Sequence, residues 1–220
     1  MSQEILIDKT KIKELRRQTG AGFNACKKAL NASNGDLEIA MEDLKKKGLA
    51  IANKKSERIA SEGIIECYIH NGSKLGILME LNCETDFVAK QDKFHNLAKN
   101  ICMQIAACPS TEYVSINDIP ANVIEYEKNI EASKDDLNDK PDKIKEQILA
   151  GRLEKRLKEL SLMNQLFIKD MSISVEDLVK QHIVILGENI KIRRFTRFIL
   201  GEGLEKKHTN LADEVTQMIG

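Results

Sequence analysis

The sequence predicts an α+β fold in which a small antiparallel sheet packs against helices and a three-helix bundle precedes it. Two apolar runs, residues 64–70 and 75–81, flank an Asn-Gly dipeptide, which is typical of a β-hairpin. After the second run, apolar residues recur at helical spacing as far as residue 105. Antiparallel strands followed by an amphipathic helix indicate a sheet with helices on one face.

Residues 1–48 are expected to form three short helices. The first carries Ile12 and Leu15 on one face, the second spans about residues 23–31, and Asp36 is suited to cap the third. The third helix has an apolar stripe at helical spacing made of Leu37, Ala40, Met41 and Leu44. A bundle of this size is only marginally stable on its own.

The core is expected in residues 63–200, after a linker. Residues 49–62 are rich in alanine, lysine, serine and asparagine and have no stable apolar stripe, which predicts a linker that is helical at most in part. A third strand is predicted in residues 190–200, where apolar and polar residues alternate. Residues 201–220 are expected to form a C-terminal module with a short amphipathic tail.

A helical hairpin is predicted as an insertion in the core at about residues 120–160. Pro120 is well placed to begin its first arm, and Lys140-Pro141-Asp142 separates the arms. Each arm carries a narrow apolar stripe and many charges, which indicates an antiparallel pair projecting into solvent. The segment that follows includes Ser174 and Asp177 at a spacing typical of a capped helix start.

Composition argues against several classes of function, although a local charged patch remains open. Lysine plus arginine (34) balance aspartate plus glutamate (34), so no net charge would hold the chain on nucleic acid or on an anionic membrane. Aromatic residues make up 4% of the chain, with no tryptophan, which argues against a platform for stacking bases. The N-terminus has no pattern of a targeting peptide, and no segment reaches the roughly 18 apolar residues of a membrane span.

No catalytic or metal-binding constellation is visible. The five cysteines are odd in number and form no CxxC pair, so the sequence indicates neither a disulfide framework nor a zinc site. Phosphate loops, serine nucleophile elbows and zinc-protease helices are all missing from the sequence. We therefore expect a chain that is not an enzyme, holds no cofactor or metal, and acts through a partner.

The most informative stretch is residues 81–90, where the strand pattern gives way to the helix pattern. Thr85 is a natural N-cap there, and Asp86 and Phe87 follow in the first helical turn. Two interpretations compete on spacing alone. Phe87 and Val88 either fold back onto the core, or they are presented to a partner.

The sequence Thr85-Asp86-Phe87-Val88, after Asn-Cys and before Ala-Lys, resembles the signature of the elongation factor Ts family. Residues 17–22 and 26–30 match a second motif of that family, and residues 187–190 and 198–206 match its closing segments. The opening bundle also resembles the ubiquitin-associated-like module of the family. Longer members contain two core subdomains, whereas this chain has one, as in short members from some bacteria and plastids.

The resemblance implies a guanine nucleotide exchange factor for the translational GTPase elongation factor Tu. Thr85, Asp86, Phe87 and Val88 would form the contact with its GTPase domain. Phe87 would wedge between helices near the nucleotide, disturb the phosphate loop and displace the Mg²⁺ that bridges it to GDP. The resemblance also implies residence in the bacterial cytoplasm or the chloroplast stroma.

Four further positions match secondary partner contacts in the family. They are Arg16, Phe23 and Lys55 in the N-terminal module and linker, and His70, which matches a histidine in the second hairpin of longer members. Where those members have paired methionines, this chain has Phe23 and Asn24, which puts the second methionine contact in doubt. Because a single core copy lacks the second surface, we expect a homodimer, with a monomer as the alternative.

Two other functions stay open on the sequence. A non-catalytic adaptor would use the bundle to bind a ubiquitin-like protein or a peptide, and it would tolerate loss of Phe87. A factor associated with RNA would bind RNA with steep salt dependence. Neither of them accounts for the Thr-Asp-Phe-Val stretch.

Overall fold

The computed structural model describes residues 9–134, 136 and 141–204. Its first three helices are α1 (Lys9–Thr19), α2 (Phe23–Ala32) and α3 (Leu37–Lys55). They enclose a small core made of Ile12, Leu15, Cys26, Ala29, Leu30 and Ala40. The three predicted helices are confirmed, and residues 1–8 of the predicted module lie outside the described residues.

The start of α3 follows the prediction closely. One carboxylate oxygen of Asp36 accepts hydrogen bonds from the amides of Glu38 (2.9 Å) and Ile39 (3.0 Å), which are among the donors that a helix start leaves unpaired. Before it, Asn34 and Gly35 adopt positive φ angles of 54° and 83°. Asparagine and glycine tolerate this left-handed region best, so the turn has the residues that it requires.

The end of α3 differs from the prediction. The helix continues past residue 48 to Lys55, so the first half of the predicted linker at residues 49–62 is helical, and the division of the chain into domains stays a prediction. Ala52 is buried in the main core, and α3 packs against α8. These tertiary contacts give the last turns of α3 a buried side, which composition alone does not reveal.

The described residues contain a three-stranded sheet and a separate two-stranded hairpin. Strands β1 (Glu62–Ile69), β2 (Leu75–Cys83) and β5 (Ile190–Ile199) form an antiparallel sheet with β2 in the centre. This confirms the predicted hairpin and the predicted third strand. Strands β3 (Leu166–Phe167) and β4 (Asp170–Ser174) form the small hairpin, which the sequence did not reveal because β3 has only two residues.

The single helix predicted after β2 is in fact two helices, α4 (Asp86–Ala89) and α5 (Asp92–Ala107). Gln91 between them is extended, with φ −78° and ψ 138°. In one unbroken helix at about 100° per residue, Ala89 and Val88 would point roughly 140° and 120° away from Phe94, on opposite sides of it. All three are buried, and the break is what allows them to face the core together.

One face of the sheet packs on α5 and on α8 (Val175–Leu186). The buried residues from the sheet include Ile77, Met79, Leu81, Ile190 and Ile192, and those from α5 include Phe94, Leu97, Ile101 and Ile105. The capped start predicted for α8 is confirmed, since the Ser174 hydroxyl accepts from the Asp177 amide at 3.1 Å and the Asp177 carboxylate accepts from the Ser174 amide at 3.2 Å. The N-terminal bundle joins this core through contacts between α3 and α8.

The inserted helical hairpin consists of α6 (Ala121–Ala132) and α7 (Asp142–Leu160). Pro120 and Pro141 stand immediately before the two helices, as the sequence predicted. Arg156 donates two hydrogen bonds, of 3.0 and 3.2 Å, to the carboxylate of Glu127, which is only 9% exposed. A partly buried bidentate ion pair therefore joins the arms. Of the predicted C-terminal module, residues 205–220 lie outside the described residues.

Arg197 on β5 holds the end of α5. Its guanidinium donates hydrogen bonds to the carbonyl oxygens of Ile105 (2.6 Å), Cys108 (2.7 Å) and Pro109. Carbonyl groups at a helix C-terminus lack partners within the helix and form the negative end of its dipole. One cation from the sheet therefore satisfies the end of the main core helix.

We predict that Arg197→Met lowers the free energy of unfolding by roughly 2 kcal/mol, because the partly buried carbonyls lose charged donors. Urea denaturation followed by circular dichroism measures this change. Arg194→Met is the control, because Arg194 on the same strand has an exposed side chain that pairs with Glu80 (2.8 Å), and surface pairs of this kind contribute little to stability. Equal losses in the two variants would contradict the capping role.

Candidate functional site

The candidate site is the junction between β2 and α4, residues 84–89. Phe87 is 77% exposed, whereas the next two residues, Val88 and Ala89, are 4% and 6% exposed. Successive residues of a helix point about 100° apart, so one turn can bury Val88 and Ala89 and direct Phe87 outward. Each interpretation of the sequence therefore describes one of the two residues: Val88 folds onto the core, and Phe87 is exposed.

Val88 is a core residue in this structure, with the least exposed side chain of the four predicted contacts at residues 85–88, and its contact with a partner stays a prediction. It packs in the main core with Ala89 and Phe94, and its side chain is not available to a partner in this conformation. Its contribution is to anchor the short turn from which Phe87 projects. A single exposed phenylalanine is common on protein surfaces, but one fixed above a buried neighbour is a suitable anchor for a partner pocket.

Thr85 occupies the N-cap position of α4, as predicted, but its hydroxyl does not cap the helix. The hydroxyl donates instead to a carboxylate oxygen of Glu188 at 2.6 Å. Thr85 therefore supports the junction from within the chain, and its expected contact with the partner stays a prediction. A hydroxyl that is bound to a carboxylate within the chain is less available to another protein.

Asp86 is exposed and pairs with Lys90, whose ammonium lies 2.7 Å from the carboxylate one turn later. The hydrogen bond from Lys90 is the main reason why the pKa of Asp86 lies below its usual value. The carboxylate is therefore ionised at neutral pH. An exposed pair of this kind contributes little to stability, so a donor group on a partner can replace Lys90 at small cost.

A second segment, residues 187–189, binds the junction from the inside. The other carboxylate oxygen of Glu188 accepts from the amides of Glu84 (3.1 Å) and Thr85 (3.0 Å). In return, the Glu84 carboxylate accepts from the Asn189 amide at 2.6 Å, and this bond is the main reason why the pKa of Glu84 is lowered. We call this exchange of bonds between residues 84–85 and 188–189 the clasp.

The clasp was missed in the sequence. In the sequence, Glu188 and Asn189 belong to a segment that resembles the family, and the resemblance assigns no role to them. A usable signal was present, since Gly187 ends α8 in the left-handed conformation and is followed by two polar residues directly before β5, whose first residue Ile190 is buried. Polar residues at such a position often bind backbone groups of a neighbouring segment.

The four secondary positions fall in different places. Arg16 and Phe23 are both exposed on the bundle, Phe23 at 48%. Lys55 lies beside the junction, because its ammonium donates to the carbonyl oxygen of Gly187. His70 follows the far end of β1, roughly 25 Å along the strand from the junction at about 3.3 Å per residue, and its Nδ1 lies 3.1 Å from the Tyr68 hydroxyl.

Cys83, the last residue of β2, is the cysteine next to the junction. Burial raises the pKa of the Cys83 thiol to about 11, so this group is not a thiolate at neutral pH and is a poor nucleophile. Within the described residues, no three side chains of histidine, cysteine, aspartate or glutamate are placed to hold a metal ion together. In the same part of the chain, no helix has both the length and the apolar character that crossing a membrane requires.

Comparison with known proteins agrees with the motifs that the sequence carries. A family model described as Elongation factor TS matches residues 24–202. The chain is 61% identical over 207 residues to elongation factor Ts, chloroplastic, from Rhodomonas salina, with 94% of each chain covered. It is 60% identical over 208 residues to the protein of that name from Guillardia theta, covering 94% of this chain and 95% of the relative.

A bacterial relative is almost as similar. Elongation factor Ts from Prochlorococcus marinus strain AS9601 is 58% identical over 207 residues, covering 94% of this chain and 95% of its own. The family model covers both the junction and the clasp. The chain therefore belongs to the elongation factor Ts family.

Proposed function

We propose that this chain is a guanine nucleotide exchange factor that promotes release of GDP from elongation factor Tu during translation elongation. Membership of the elongation factor Ts family supports this function. The observation that supports a role of particular residues in this function is the exposure of Phe87 beside the buried Val88. The side chain of Phe87 would enter the GTPase domain of the partner, with the ionised Asp86 next to it.

Insertion of Phe87 would act on the nucleotide through the partner's own structure. A wedge between helices near the nucleotide would shift the phosphate loop and the Mg²⁺ that it helps to hold. A divalent cation beside a diphosphate is the largest local charge in such a site, so its displacement would remove much of the electrostatic attraction that retains GDP. No covalent step is needed, which is why we regard the chain as a non-enzyme.

Turnover follows from thermodynamic reciprocity. If the factor weakens nucleotide binding by some free energy, bound nucleotide must weaken binding of the factor by the same amount. GTP entering the empty site would therefore release the factor. The factor would act on many partner molecules in succession without being changed itself.

The N-terminal bundle would supply a second contact with the GTPase. We infer a ubiquitin-associated-like module from the family motif at residues 17–22 and from the three short helices around one small core. Arg16 and Phe23 are exposed on it, and Lys55 lies between it and the junction. His70 is the least supported of the contacts, because it lies at the opposite end of the sheet hairpin.

The relatives include chloroplastic and bacterial proteins. We therefore propose the chloroplast stroma or the bacterial cytoplasm as the place of action, since translation by elongation factor Tu occurs in both. A role as an adaptor, with the bundle alone binding a ubiquitin-like protein, would leave the presentation of Phe87 without a purpose.

We predict that Phe87→Ala slows stimulated GDP release about tenfold or more, because truncation of a central aromatic anchor commonly costs 2 kcal/mol or more of binding. Stopped-flow fluorescence of a labelled GDP leaving elongation factor Tu measures the rate. Because Phe87 is exposed, the free energy of unfolding should stay unchanged.

Val88→Ala, at the buried neighbour, is the matched control for the measurement of stability. It removes two buried methyl groups and should lower the free energy of unfolding by roughly 1–3 kcal/mol. If Phe87→Ala exchanges nucleotide as fast as the unmodified chain, the wedge is refuted. If Phe87→Ala unfolds instead, Phe87 has a core role that its exposure does not reveal.

We predict that Mg²⁺ opposes the factor. Metal bound to the GDP-loaded GTPase stabilises the state that the factor must disturb, so stimulated release should slow as Mg²⁺ rises above the concentration that saturates this complex. The rate of labelled GDP release, measured across a Mg²⁺ titration at constant ionic strength, tests this. A rate that does not change over that range would exclude displacement of the metal from the mechanism.

We further propose a homodimer formed through the outer face of the sheet. Five residues on this face are exposed, namely Ile65, Cys67, Ile69, Leu78 and Phe198. Leu78 is on the central strand and pairs with Cys67 on β1 and with Thr196 on β5, so the patch crosses all three strands. A contiguous apolar patch of this kind is typical of an interface, and a two-fold axis would pair it with its copy.

We predict that Leu78→Arg converts a dimer into a monomer, because a charge at the centre of the patch would have to be buried without a partner. Light scattering at micromolar concentration measures the mass. Ile144→Arg is the control, because Ile144 is similarly exposed, at 45% against 44%, but lies on the inserted helical hairpin. A monomeric mass for the unmodified chain, alone and with elongation factor Tu, would rule the dimer out.

A further inference from the structure

We propose that Glu188 is a positioning residue: it holds Phe87 in its outward position, and stimulated nucleotide release depends on that hold. The proposal rests on the exchange function above. Glu188 does not need to touch the partner, because it acts through the backbone that carries Phe87. The three hydrogen bonds that its carboxylate accepts all come from Glu84 and Thr85, the two residues before α4.

The junction needs such a hold because its own local structure is weak. A helix of four residues such as α4 is not stable without tertiary contacts. The amides of Glu84 and Thr85 follow the last residue of β2, so the ladder of the sheet does not pair them. Glu188 accepts from both of them with one oxygen and from the Thr85 hydroxyl with the other.

The use of Thr85 distinguishes this arrangement from an ordinary helix start. A threonine at the N-cap position normally accepts a hydrogen bond from the helix that it precedes. Here the hydroxyl gives up that local bond and donates to a residue 103 positions later in the chain. The orientation of α4 is therefore fixed to the turn between α8 and β5 and not by its own cap.

The turn that carries Glu188 is itself well fixed. The Asn189 side chain is 2% exposed and donates to the carbonyl oxygens of Arg58 (2.7 Å) and Ser56 (3.3 Å). Lys55 binds the carbonyl oxygen of Gly187. The end of α3, the turn and the junction are thus joined at one corner of the core.

The fold does not depend on Glu188 in the same way. Without its carboxylate, Cys83 still pairs with Ile190 in the sheet, and Val88 and Ala89 still bury apolar side chains. Loss of Glu188 should therefore loosen residues 84–87 while the core persists. A loosened Phe87 would meet its pocket in the productive geometry less often, and small misplacements of this kind are known to slow reactions strongly.

The test is a double-mutant cycle on stimulated release of a labelled GDP from elongation factor Tu. Glu188→Ala should slow release roughly 5- to 50-fold. Glu188→Gln keeps an oxygen for the two amides and should stay within about threefold of the unmodified chain. Glu176→Ala is the control, because Glu176 is a carboxylate on α8 that pairs with Lys180 (2.6 Å) away from the junction, and it should release GDP at the unmodified rate.

The cycle separates positioning from general stability. If Glu188 acts through Phe87, adding Glu188→Ala to Phe87→Ala should slow release by less than about twofold, because the wedge is already gone. Independent, multiplied losses in the double variant would overturn the proposal, and so would a Glu188→Ala variant with full activity. If Glu188→Ala does not fold, Thr85→Val replaces it in the cycle, and a fully active Thr85→Val would overturn the proposal.

Hydrogen exchange of the free chain tests positioning without the GTPase. Amides in residues 84–90 should exchange about tenfold or more faster in Glu188→Ala, while those in the centre of β2 should not change. Unchanged protection at the junction overturns the proposal even if the exchange function holds. If the unmodified chain does not stimulate GDP release, the exchange function fails, and the protection of residues 84–90 still decides whether Glu188 holds the junction.

Discussion

The central position of β2 is the constraint on which the rest of this structure depends. It is the only strand of the described sheet with a partner on each side, and its inward residues Ile77, Met79 and Leu81 lie at the centre of the core. Pairing with β5 joins segments more than a hundred residues apart, and such a loop closure is entropically unfavourable until burial compensates for it. Once formed, the pairing brings the end of β2 against the turn before β5.

The candidate site is a direct consequence of that pairing. Cys83 ends β2 opposite Ile190, so residues 84–85 and 188–189 are neighbours in space. The backbone amides of Glu84 and Thr85 donate to the Glu188 carboxylate, the amide of Asn189 donates to the Glu84 carboxylate, and the clasp results. The short α4 therefore begins from backbone that the clasp holds in place. Because Val88 and Ala89 face the core, Phe87 on the same turn points into solvent.

Local patterns in the sequence predicted the elements well and their long-range contacts poorly. The helices of the bundle, the sheet hairpin, the helical hairpin and the start of α8 each have turn or capping residues beside a periodic apolar pattern, and each was found. The break at Gln91 was not predicted, because the apolar spacing on each side of it fits a helix. Only the burial of Val88, Ala89 and Phe94 in one core shows that the two helices must differ in orientation.

The candidate site shows the same limit. Residues 85–88 were found through their family motif, yet the motif could not tell which of them point outward. Val88 was expected at the partner surface together with Phe87, and the two residues differ only in how far the fold buries their side chains. The partner of the Thr85 hydroxyl lies 103 residues away in the chain, so no local pattern could reveal it. Prediction failed wherever a role depended on the packing of distant segments.

The extension of α3 to Lys55 gives the N-terminal bundle a defined relation to the site. A flexible linker would let the bundle and the junction move independently, and binding would then have to order both. Here α3 packs on α8, and Lys55 at its end binds the same turn that carries Glu188. Phe23 on the bundle and Phe87 at the junction are thus held on one scaffold before any partner arrives. Since less freedom is lost when both surfaces meet one partner, such preorganisation favours simultaneous contact at two places.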